Sequence, residues 1–213
     1  MKPDELLVLA LLGGVLLLRR SVPWGDPISW LWPLPAVRLP DGAAYPPVIS
    51  DGIGTARPGG RTHAGVDVCY RRRSSTDLLA EFPVGKPGGS RRHFAPPGVP
   101  VLAARDGVVW SVQRTARGIM VVVDHGRPWA TMYQHLASSA LPAHARGVAT
   151  STGQPTRVRR GDVLGVMGAD PVQGAGAFRH LHFEVWHEGD PVDPAGAMAS
   201  WPRSTTVEAV RRG

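Results

Sequence analysis

Apolar side chains recur at alternate positions in a series of short runs along the second and third quarters of the chain and beyond. "HAGVDVCY" (63–70), "PVLAARDGVVWSVQ" (100–113), "GIMVVVDHG" (118–126), "WATMYQHL" (129–136), "DVLGVMG" (162–168) and "HLHFEVWHEG" (180–189) all show it. A period of two places one set of side chains on a buried sheet face and the other set outward. β-branched residues inside the runs and glycine between them support strands joined by tight turns. Two irregular stretches, 71–98 and 137–157, interrupt the series and are expected as long loops. The predicted fold is mainly β, an antiparallel, sandwich-like sheet assembly, with one helical exception at the N-terminus.

That exception is "LLVLALLGGVLLL" (6–18), an uncharged apolar run between Glu5 and Arg19-Arg20. It falls short of the roughly 20 residues a spanning helix needs. It also lacks the positive leader and small-residue cleavage site of an export signal. A short hydrophobic helix over residues 1–20 that anchors the chain to a membrane is the preferred expectation. Residues 21–47, rich in proline and tryptophan and without periodicity, are expected as an extended linker, with Trp24, Trp30 and Trp32 at a membrane interface or packed on the domain. The expected organisation is completed by one domain over 48–200 and a basic tail over 201–213.

Composition narrows the picture in two respects. A single cysteine, Cys69, in 213 residues excludes an intramolecular disulfide framework, so any staple is packing or a metal. A net charge of +7 suits an anionic partner: a cell-wall polymer, a membrane surface or nucleic acid. The arginine clusters "YRRRSS", "GGSRRHF" and "TRVRRGD" stand beside no helix-turn-helix or stacked-aromatic pattern, so no specific nucleic-acid partner is expected.

The chemistry gathers in three places. On the run "FRHLHFEVW", His180 and His182 share one strand face while Leu181, Phe183 and Val185 form the other. In "THAGVDV", His63 and Asp67 stand four apart, a spacing that suits one strand face. An imidazole and a carboxylate joined by a further imidazole from the 180/182 pair make a three-ligand set suited to Zn(II), with a fourth position left for water. The remaining histidine of the pair and His135 in "MYQHL" are then candidates for proton handling. Glu184 shares the face of His180 and His182, which leaves a hydrogen bond to a ligand open without counting Glu184 in the site. His93, His125, His144 and His187 are expected to be structural or solvated.

The order "HAGVD", "YQHL", "HLHFEV" resembles the lysostaphin-type, or LytM-like, zinc endopeptidases that cut peptidoglycan peptides. "PVLAARDGVV", "IMVVVDHG", "RRGDVLGVMGAD" and "DPVDP" resemble the flanking strands and closing segment of that family, over roughly residues 48–196. The resemblance implies a β domain with a metal groove, one zinc held by His63, Asp67 and His182, and catalytic roles for His135 and His180. It also implies a peptidoglycan peptide as substrate and action at the bacterial cell wall. Since some family members have lost ligands and act as scaffolds or amidase activators, a non-catalytic wall-binding module is the alternative. A biotinyl- or lipoyl-type carrier shares the short strands but would display a hairpin lysine that this chain lacks. The positive charges that follow the apolar run favour a cytoplasmic domain, which conflicts with a wall substrate. Export despite poor flanks, or carriage in a virus particle, are the two expectations that resolve it.

Overall fold

The computed structural model describes residues 22–40, 42–72, 93–96, 98–141, 155–168 and 179–208. The apolar run at 6–18 lies outside them, as do most of the two long loops and the end of the basic tail. No helix among the described residues is long and apolar enough to cross a membrane.

Among the described residues, an eleven-stranded sheet organises the fold. Its main path runs Arg157–Val158, Gly107–Thr115, Gly118–Asp124, Trp129–Ser139, Leu181–His187, Val66–Arg71, Pro47–Asp51, each antiparallel to the next. Alternation sorts its two faces. Val66, Val68, Tyr70, Leu181, Phe183, Val185, Val121, Val123 and Tyr133 are buried in one apolar core. Directly cross-strand residues share a face, so the register Gln134↔His182↔Asp67 puts a carboxylate, an imidazole and an amide side by side on the other face.

The expected strands are present with shifted ends. "PVLAARDGVVWSVQ" divides into Pro100–Leu102 and Gly107–Thr115. The strand expected from residue 63 begins at Val66, because the chain bends at Gly65 to pass tightly over the Phe183 carbonyl. His63 therefore approaches from a loop, and it does not share a strand face with Asp67.

The Trp129–Ser139 strand changes partners along its length. Trp129 to Gln134 pairs with Leu181–His187, whereas Leu136 to Ser139 pairs with Val163–Met167. The changeover falls at His135, whose φ is +72°, and beside it the pairings with Gly118–Asp124 and with Val163–Met167 both shift register. A non-glycine residue held in the left-handed region is uncommon and needs support from its surroundings.

Residues 22–39, expected as an extended linker whose tryptophans either meet a membrane interface or pack on the domain, take the packed arrangement. Trp30 is fully buried, and Trp32, Leu34, Val37 and Leu39 join the same core. Trp30 stacks on Trp201 at 4.9 Å, and Trp24 stacks on Trp129 at 5.0 Å. Prolines deny this strap a regular ladder, so single backbone bonds tie it down instead: Leu31 N to Ala104 O, Trp32 N to Pro202 O, Leu102 N to Pro33 O. The start of the expected tail is likewise folded, since Val207–Glu208 pairs in parallel with Val37–Arg38.

Beside the strap, the ring nitrogens of His125 bond the Asp106 carbonyl and the Thr131 hydroxyl, each at 2.8 Å. Burial drives its pKa down to about 4, despite the bond to the Asp106 carbonyl. The folded state thus takes up this proton later than the unfolded chain, whose imidazole titrates near 6.5. The stabilising contribution is complete above pH 6.5, falls as pH drops, and is lost near pH 4; its ceiling is about 3 kcal/mol. In thermal melts at pH 7.5 and 4.5, His125→Gln is expected to lose less stability on acidification than the parent. An equal loss in both would remove His125 from the account.

Candidate metal centre

Three donor atoms converge on the polar face of the sheet. His63 Nε2 lies 2.9 Å from Asp67 Oδ1 and 2.8 Å from His182 Nδ1, and His182 Nδ1 lies 3.2 Å from Asp67 Oδ1. Neighbouring ligands around a tetrahedral zinc with bonds of 2.0–2.1 Å are about 3.3 Å apart, so the triad is close to the required spacing. All three side chains are buried.

Their outer partners fix which ring nitrogens face inward. His63 Nδ1 bonds the Gly52 carbonyl at 2.8 Å, which assigns the proton to Nδ1 and turns Nε2 toward the cluster. His182 Nε2 bonds Glu184 Oε1 at 2.8 Å, leaving Nδ1 to face Asp67 and His63. Trp186 Nε1 donates to the other Glu184 oxygen at 2.7 Å. This carboxylate–histidine pairing orients metal-binding imidazoles generally, and Glu184, set aside in the sequence reading, supplies it here. Two imidazoles and one carboxylate form a donor set that fits zinc.

Electrostatics follow the same contacts. Burial would raise the Asp67 carboxyl, but the bond to His182 and the charges of His180 and His63 hold it at about 2. Burial would lower His182, yet its bonds to Asp67 and Glu184 keep it near 9.

Two further imidazoles border the triad. His180 Nε2 lies 3.4 Å from Asp67 Oδ1, and the His180 ring is 5.0 Å from that of His135. Both are buried. His135 Nδ1 bonds the Arg117 carbonyl at 2.8 Å. Burial, reinforced by His180, pushes His135 to about 4, so at pH 7 the ring is neutral with Nδ1–H donating and Nε2 an acceptor. The bulge that carries His135 is closed by Gly118, where a Cβ would come within 2.9 Å of the Leu136 carbonyl. All five histidines and carboxylates singled out from sequence thus meet in one place.

Sequence reasoning missed Arg57 and Asp51. Arg57 Nη2 bonds Asp67 Oδ2 at 3.1 Å, and its Nη1 bonds Asp51 Oδ2 at 2.6 Å. Nothing in their spacing distinguishes them from the many other arginines and carboxylates.

Close approach of backbones sets the distance between the ligand-bearing strands. A Cβ at Gly65 would sit 2.4 Å from Phe183 O and 2.7 Å from Glu184 Cγ. Gly65→Ala is therefore expected to destabilise the fold by about 1–3 kcal/mol and to lower metal content. Thermal denaturation and metal analysis of the purified variant check both, and unchanged values in each would refute the contact.

On the same sheet face, past Glu184, opens a groove of about 960 Å³ lined by Trp110, Met120, Val122, Met132, Arg127 and Trp186.

Residues 92–194 match Peptidase family M23, a span that includes His135, His180 and His182 and begins after His63 and Asp67. The chain is 30% identical over 117 residues to the DD-carboxypeptidase/endopeptidase Mpg of Neisseria meningitidis, covering 54% of this chain and 24% of that protein. It is 31% identical over 130 residues to the cell division protein DipM of Caulobacter vibrioides, covering 56% and 19%. It thus spans a quarter or less of the length of these relatives. Among solved structures, the SpoIIQ–SpoIIIAH pore-forming complex aligns over 81% of this chain and 92% of that one, with a TM-score of 0.51 at 16% identity, a likeness of fold alone.

Proposed function

We propose that this chain, whose residues 92–194 match Peptidase family M23, is a zinc-dependent endopeptidase that cuts the stem or cross-linking peptides of bacterial peptidoglycan and acts at the cell wall. The observation that carries this reading is the convergence of His63 Nε2, Asp67 Oδ1 and His182 Nδ1, with two more imidazoles beside them.

In that cradle a zinc ion supplies Lewis acidity toward the peptide carbonyl and the attacking water. The chain's own groups do the rest. His135 presents an Nε2 lone pair as proton acceptor, because its Nδ1–H is committed to the Arg117 carbonyl. His180, ring to ring with His135, is placed to donate to the oxygen that gains charge or to relay the proton to the leaving amine. The Trp110–Trp186 groove adjoins this cluster through the Trp186–Glu184–His182 bonds and offers an apolar floor for the peptide.

The test is digestion of purified peptidoglycan. New free amino groups are expected with zinc present, none after chelation, and recovery when zinc is restored. Weighing the products from defined muropeptides then identifies the bond. The fold also serves in the SpoIIQ–SpoIIIAH pore-forming complex, so fold does not by itself carry catalysis. A folded chain that holds no zinc supports the second reading, a non-catalytic binding module; about one zinc per chain supports the enzyme.

A further inference from the structure

We propose that Arg57 is a positioning residue that dictates how the Asp67 carboxylate meets the metal, an inference that rests on the zinc-cradle reading of His63, Asp67 and His182. The two oxygens of Asp67 have divided surroundings. Oδ1 faces His63 Nε2, His182 Nδ1 and His180 Nε2 at 2.9, 3.2 and 3.4 Å. Oδ2 faces the Arg57 guanidinium at 3.1 Å. A carboxylate with both oxygens free can swing or chelate a cation with both. With Oδ2 occupied by a group that never loses its charge, one oxygen remains for the metal, in one orientation, and the fourth coordination position stays available.

Arg57 is itself clamped. Its second nitrogen, Nη1, bonds Asp51 Oδ2 at 2.6 Å, and Asp51 Oδ1 accepts from the Thr55 hydroxyl at 2.8 Å and from Gly52 N at 3.0 Å. Asp51 stands opposite Asp67 across the strand pair, so a guanidinium fork fills the space between two carboxylates that would otherwise repel. The same loop delivers the Gly52 carbonyl to His63 Nδ1 and is tied to His63 by Gly54 N–His63 O and His63 N–Thr55 O bonds. One turn of chain, residues 51–63, thereby aims two of the three ligands.

Magnitudes separate this role from a merely structural one. The Asp51 and Arg57 side chains are about 30% exposed, and ion pairs that open to water add little to stability. The effect belongs in metal affinity. Loss of an outer partner of a ligand weakens metal binding by about 10–100-fold.

The experiment titrates the metal-free full-length chain with zinc against a chromophoric chelator, for the parent, Arg57→Met, Arg57→Lys and Asp51→Asn, and records the absorption of the cobalt(II) forms. Arg57→Met is expected to weaken zinc binding by about 10–100-fold and to alter the cobalt spectrum as the second Asp67 oxygen is released. Its metal-free melting temperature should stay close to that of the parent. Arg57→Lys should recover part of the affinity, because a point charge can satisfy Asp67 but cannot bridge both carboxylates. Asp51→Asn should weaken binding by a smaller factor, and it keeps the test decisive if Arg57→Met does not fold. Zinc affinity within about two-fold of the parent in folded variants, well under the effect of losing an outer partner, together with an unchanged cobalt spectrum, overturns the inference and leaves the metalloenzyme reading standing. A parent that binds neither metal overturns both.

Discussion

His182→Ala is expected to hold no zinc at equilibrium dialysis and to release amino groups from peptidoglycan at least about 100-fold more slowly than the parent. Removal of an outer-shell partner alone already costs a metal site about 10–100-fold, and this change removes a ligand. His182 Nδ1 is within 3.2 Å of both other donors, so its loss leaves two ligands. The deleted ring also frees Glu184, whose Oε1 it holds at 2.8 Å. Folding should survive, because each buried carboxylate keeps another partner. Glu184 retains Trp186 Nε1, and Asp67 retains Arg57, His63 and His180. The variant's melting curve therefore serves as its own control. A folded His182→Ala chain that cleaves at the parent rate would remove the metal from the reaction.

The second large effect lies in the apolar core. Trp30→Ala is expected to destabilise the protein by about 3–5 kcal/mol, as truncation of a buried aromatic does. That corresponds to roughly 6–20 °C in melting temperature for a chain of this size. Trp30 is completely buried, stacks on Trp201 at 4.9 Å, and meets Trp24 and Trp129 edge-on at 5.9 and 5.3 Å. The Arg105 guanidinium lies 5.1 Å from its ring. Removing the indole would open a cavity that the proline-interrupted strap cannot collapse to fill. Thermal or urea denaturation monitored at the tryptophan fluorescence measures the cost. A loss under about 1 kcal/mol, far below that of a buried aromatic, would mean that the strap is an appendage after all.

These two sites were legible in the sequence to very different degrees. His180, His182 and the apolar residues between and after them could be read directly, because a strand's period of two is local and assigns faces without knowledge of any partner. The ligand and proton-handling candidates His63, Asp67, His135, His180 and His182 are all legible as a set in the sequence, and the fold brings their side chains together. The geometry of His63 was misread, since its spacing from Asp67 suits a strand. The bend at Gly65 is imposed by the Phe183 carbonyl, more than a hundred positions away in the chain. His135 was read as a proton-handling candidate near a strand end, with nothing in the sequence to mark its backbone. Its left-handed backbone arises because its strand exchanges one partner for another at that residue. Trp24, Trp30 and Trp32 read as linker because proline erases periodicity, while their burial depends on Ala104, Trp129, Met198, Trp201 and Pro202.

Local pattern was thus sufficient for the class of fold, the strands and the candidate donor residues, because alternation and donor type are properties of neighbours along the chain. Register, the tautomer each imidazole must adopt, and the clamp of Arg57 between Asp51 and Asp67 were decided by folding alone. They depend on which distant carbonyls and carboxylates the sheet brings within about 3 Å, the range at which hydrogen bonds act, and no short stretch of residues contains that information.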